Sequence, residues 1–110
     1  MAYDEGLAQR IREVLGDRTD MLEKKMFGGL SFMLHGNMCC GVAGDDLMAR
    51  VGPDRYEEAL GRPHTRPMDF TGKPLKGFVY VDAAGYLTDE DLESWIDLAV
   101  KFADTLPAKD

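Results

Sequence analysis

Leu30-Ser31-Phe32-Met33-Leu34-His35-Gly36-Asn37-Met38-Cys39-Cys40-Gly41-Val42-Ala43-Gly44-Asp45-Asp46-Leu47-Met48-Ala49-Arg50-Val51 is the stretch that decides the fold. Leu30, Phe32 and Leu34 alternate with Ser31, Met33 and His35. Met38, Cys40 and Val42 alternate with Cys39, Gly41 and Ala43, and Leu47, Ala49 and Val51 alternate with Met48 and Arg50. Successive side chains on a strand point to opposite faces, so a period of two means strands with one buried face. Gly36-Asn37 and Gly44-Asp45 each supply a two-residue turn suited to joining antiparallel strands. The stretch is therefore predicted to be an antiparallel meander over about residues 30–51, with Cys39 and Cys40 on opposite faces.

On the N-terminal side the period changes. Leu7, Ile11, Val14 and Leu15 fall on one face of a helix over 4–16, which Gly16 stops. Residues 23–27 are predicted as a short strand, ended by Gly28-Gly29. On the C-terminal side Gly52-Pro53 breaks the meander, with Pro53 placed like a first helical residue. Tyr56, Ala59 and Leu60 give a short helix its apolar side. Residues 61–77 read as loop, with Met68-Asp69-Phe70 as a possible short strand. Phe78-Val79-Tyr80-Val81 is a strand. Thr88 then caps a long helix whose stripe is Leu92, Trp95, Ile96, Ala99, Phe102, Ala103 and Leu106, and Pro107 ends it. Asp89, Glu90 and Asp91 suit the positive end of that helix. The predicted class is α+β, in the order α-β(3-4)-α-β(2)-α. An antiparallel sheet carries the helices on the face of Leu30, Phe32 and Leu34. Residues 1–110 form one domain.

Composition excludes several functions. The chain has 110 residues, 45% of them apolar, enough to bury a core without disulfide or metal. It carries 13 Lys and Arg against 20 Asp and Glu, a net charge of −7. Proteins that grip phosphate backbones show the opposite balance, so direct DNA binding is not expected. No apolar run approaches a membrane span, and the first residues have no signal-peptide pattern, so a cytoplasmic protein is expected.

Charge is uneven along the chain. Residues 61–77 hold Arg62, Arg66, Lys73 and Lys76 against Asp69, a net of +3, whereas 82–110 has a net of −6. The basic loop is a candidate contact patch for an acidic partner or nucleic acid, or it pairs with the chain's own acidic helix. His35, His64, Cys39 and Cys40 are the only residues that could make a Cys–His nucleophile. That arrangement needs an orienting third group, which the sequence does not signal. No catalytic residue, cofactor or metal is expected. On the sheet face opposite Phe32, Met33, Cys39, Gly41, Ala43 and Met48 would form a semi-apolar, partly exposed surface, either a site of self-association or a loosely covered sheet face.

Lys25-Met26-Phe27-Gly28-Gly29 remains. Two glycines after an aromatic permit a turn at positive φ or a close backbone approach. Together with the hairpins that follow and Trp95 in the terminal helix, this motif resembles the N-terminal domain of the TfoX/Sxy competence-regulator family. Lys25 stands where that family usually has Arg. The segment 66–74 also departs from commoner members, so the chain is placed in a divergent branch as a stand-alone N-terminal domain. The resemblance implies a secretion-chaperone-like α+β fold and a role linked to transcriptional regulation of DNA uptake; since direct DNA binding is not expected, that role would pass through a protein partner. It carries no catalytic residues.

Overall fold

The computed structural model describes residues 3–16, 20–26, 29–69, 72 and 75–107. Helix α1 spans Glu5–Leu15 and starts where Asp4 accepts hydrogen bonds from the Gly6 and Leu7 amides, satisfying donors that a helix N-terminus leaves free. Strands β1 (Met21–Met26), β2 (Gly29–Leu34), β3 (Asn37–Ala43) and β4 (Asp46–Arg50) follow. Then come helix α2 (Tyr56–Leu60), β5 (Thr65–Pro67), β6 (Phe78–Val81) and helix α3 (Asp89–Asp104). The described strands make one antiparallel sheet of six, in the order β1-β2-β3-β4-β6-β5. The fold is α+β, as the two hydrophobic periods require.

All three helices pack on one face. Leu7, Ala8 and Ile11 of α1, Ala59 of α2, and Leu92, Trp95, Ile96, Ala99 and Ala103 of α3 join Leu30, Phe32, Leu34, Val42, Leu47, Ala49, Val79 and Val81 in one core. The cap of α3 is as read: the Thr88 hydroxyl accepts from the Asp91 amide at 3.1 Å. Trp95 is 4% exposed and anchors this layer.

Five local readings are corrected. β1 begins at Met21, two residues before the predicted start. The first hairpin turns at His35-Gly36, not Gly36-Asn37; both residues have positive φ (52° and 83°), as a tight hairpin demands. Asn37 is instead buried in β3, where its amide donates to the Pro107 carbonyl at 2.8 Å. Pro53 lies in a turn, and α2 starts only at Tyr56. The short strand of the loop is Thr65–Pro67 rather than 68–70. Pro67 is tolerated there because β5 is an edge strand and a proline's missing N–H costs no ladder bond.

The fifth correction concerns the cysteines. Phe32 pairs with Cys40 but Met33 pairs with Met38, so β3 bulges by one residue at Cys39. The bulge resets the alternation. Cys39 and Cys40 both lie in the helix-side core, and Met38 turns to the other face with Met48 and Met68.

Candidate functional site

Of the Lys25-Met26-Phe27-Gly28-Gly29 motif, Lys25, Met26 and Gly29 are described. Lys25 and Met26 end β1 and pair with Leu30 and Gly29. Phe27 and Gly28 lie outside the described residues. Gly29 does not adopt positive φ; it is a buried strand residue. A Cβ there would overlap the Val42 carbonyl oxygen, so of the two roles open to this glycine the structure selects close backbone approach. Gly41 is held likewise, since a Cβ would run into the Leu30 carbonyl and the Met48 side chain.

On β1, Glu23 faces the helix layer and receives Arg12 of α1 in a two-pronged contact, Nε to Oε2 at 2.7 Å and Nη2 to Oε1 at 2.8 Å. That hydrogen bonding holds the Glu23 carboxyl below its usual pKa and raises that of Arg12. Leu22, Lys24 and Lys25 are exposed.

The second face of the sheet is less open than the sequence predicts. Met38, Met48 and Met68 form a buried cluster with Met33, Ala43, Leu75, Phe78 and Tyr80 packed on it. The loop after β5 covers it: the Leu75 amide bonds the Met68 carbonyl at 2.9 Å and the Phe78 amide bonds the Leu75 carbonyl at 3.0 Å. Met33 and Ala43 stay half-buried, and Leu22, the partner of Met33 on β1, is 68% exposed. Beneath this cover the Ser31 hydroxyl is fully buried without a hydrogen-bond partner.

Two members of the candidate basic patch, Arg62 and Arg66, have partners within the chain. Arg66 is clamped by the carboxylates of Asp46 and Asp82 and lies over the Tyr80 ring, 5.0 Å from its centroid. Hydrogen bonding to Asp46 raises its pKa further. Arg62 covers the Trp95 ring at 4.7 Å and comes within 3.8 Å of Glu58. Lys76 is exposed, and Lys73 lies outside the described residues. Sequence reasoning missed Asp46 and Asp82 as the partners of Arg66. They are 20 and 16 residues away, and only the β5-β6-β4 pairing brings them together. It also missed Arg50, which lies between the Phe78 and Phe102 rings at 5.0 and 5.4 Å.

The cysteines and histidines are kept apart. Both thiols are fully buried, whereas His35 and His64 are exposed, each at positive φ. Hydrogen bonding to Cys39, and then burial, push the Cys40 thiol well above the ordinary value, away from the thiolate that a nucleophile requires. Among the described residues no cluster of three or more His, Cys, Asp or Glu is arranged to hold a metal ion. None of their helices is long and apolar enough to cross a membrane.

The geometry defines a one-sided sheet domain: helices close one face, and the other is partly covered by a loop. The TfoX N-terminal domain family matches residues 13–103, most of the chain. The chain belongs to that family. A search of curated proteins gave no match, and a search of solved structures gave none either.

Proposed function

We propose that this domain is a non-enzymatic protein-interaction module of the cytoplasm that serves transcriptional regulation of DNA uptake. The observation that carries the reading is the uneven coverage of the sheet. Three helices seal one face, but on the other Leu22 is exposed on β1 and Met33 and Ala43 are only half-buried. Family membership supplies the regulatory context. Self-association would use the same Met33–Ala43 side. In-cell cross-linking of the tagged chain, read by mass spectrometry, tests the reading. A stoichiometric protein partner is expected, and cross-links to nucleic acid alone would overturn it.

The competing reading, DNA contact through residues 61–77, is weakened by the loss of free cations. Arg66 is neutralised by two carboxylates and Arg62 is spent on Trp95 and Glu58. Duplex binders that work at physiological salt make roughly six to ten phosphate contacts. Fluorescence anisotropy with random and promoter-like duplexes at about 0.15 M salt should show no micromolar binding. Binding weakened by Lys76→Glu would restore the DNA reading.

A further inference from the structure

The two edges of the sheet differ in how they are protected. β5 is three residues long and ends in Pro67, and such short, proline-bearing edges resist pairing with another chain. β1 is six residues long, contains no proline, and among the described strands has β2 on one side only. Alternate residues of β1 therefore point their N–H and C=O groups outward, a template for one more strand.

The side chains along that edge specify its charge. Lys24 pairs with Ser31 and so lies on the loop-covered face; Lys25 pairs with Leu30 and lies on the helix face. Both are exposed. The acid between them and Leu22 is cancelled, because Glu23 is held by Arg12. In a chain of net charge −7, this edge is a local cationic strip with one exposed apolar residue, Leu22, at 68%.

We infer that β1 takes up an extended acidic segment of a partner protein as a seventh strand. Resting on the interaction reading above, this names the surface and the chemistry of the partner. Main-chain hydrogen bonds to β1 would supply affinity. Adjacent acidic residues, one facing each side of the sheet, would meet Lys24 and Lys25, and an apolar residue would cover Leu22. A second copy of this chain fits worse. A two-fold axis normal to the sheet pairs one residue of β1 with itself. The two registers with most overlap either place Lys24 against Lys24, like charges directly opposite, or set Lys24 and Lys25 opposite Leu22 and Met21, where neither lysine meets an acid.

The probe is a fluorescein-labelled decapeptide rich in valine and threonine, with two adjacent glutamates at its centre. Titrated with the full chain at about 0.05 M salt, it should bind saturably and weaken as salt rises. Lys24→Glu with Lys25→Glu should weaken it by about fivefold or more. A peptide with lysines in place of the glutamates, and one with prolines at alternate positions, should not bind. Amide shifts on binding should centre on residues 21–26. Circular dichroism of the double variant should match the parent, since both side chains are exposed. Indifference to the charge reversal, shifts centred on α3, or no binding would overturn the inference. So would β1 broadening and a doubled mass in the peptide-free protein, which would give the edge to a second copy. If the peptide fails while in-cell cross-linking yields a protein partner, the interaction reading stands and the edge assignment falls. If both fail, both are wrong.

Discussion

The two faces of the sheet are closed by different means. On one, α1 and α3 lay regular stripes of Leu7, Ile11, Leu92, Trp95 and Ile96 over Phe32, Leu47 and Val79. On the other, Met68 and Leu75, from between β5 and β6, close over Met38 and Met48. A helix presents the same spacing at every turn, so its partner strands can be branched and aromatic side chains with fixed shapes. A loop has no repeat, and methionine, unbranched and flexible, fills what is left. The helix face should therefore respond to truncation as a rigid core does, and the loop face more softly.

Trp95→Ala tests the rigid side and should be the largest effect. Truncating a buried Trp costs on the order of 3–5 kcal/mol, read from urea unfolding of the variant and parent. An unchanged midpoint would mean that the helix layer is not held by this anchor. Met48→Ala tests the loop side. We expect about 2 kcal/mol, the low end for Met-to-Ala changes, because the covering segment can settle into the space. A loss equal to that of Trp95→Ala would show the two faces to be equally stiff.

Next come the glycines. Gly29→Ala forces a methyl against the Val42 carbonyl and should cost about 1–3 kcal/mol, as overpacking does. Gly16→Ala has free space but positive φ, and should cost about 1 kcal/mol. Thermal melts that reverse this order would mean that β2 and β3 can part to admit a side chain.

The smallest effect belongs to the β1 edge. Glu23 is depressed in the folded state, so the stability it adds is present above the unfolded value of 4.5 and is lost as pH falls through the folded pKa. The pair is more than a third exposed on both sides, so Glu23→Gln should cost only about 0.2–1 kcal/mol at neutral pH. Below pH 4.5 the gap between variant and parent should close. A gap that persisted at low pH would mean Glu23 acts through packing and not charge.

Much of this architecture was legible in the residues. The meander, the terminal helix with its Thr88 cap and the burial of Trp95 followed from periods of two and 3.6, which are local properties. Gly44-Asp45 was read correctly as a turn because the stretches next to it, 40–43 and 46–49, pair without a register shift. The neighbouring turn slipped by one residue, since His35, not a usual residue at positive φ, takes the first position and frees Asn37 to bond Pro107. The partners of the candidate basic residues were not legible for a different reason. Arg62, Arg66, Lys73 and Lys76 are close in sequence, but the fold spends Arg66 on Asp46 and Asp82 and Arg62 on Trp95.

By itself, the sequence determined the element order, the face on which the helices sit and the family. Each rests on patterns that repeat within a few residues. Tertiary structure alone decided three things. The bulge at Cys39 brought both thiols to one face, because one extra residue inverts the alternation on one side of it. Met68 and Leu75 closed over Met38 and Met48, because the chain between β5 and β6 meets β4 only through the crossover order β4-β6-β5. And β1 was left as the long, cationic free edge, since nothing in a strand's own residues states whether another strand lies beside it.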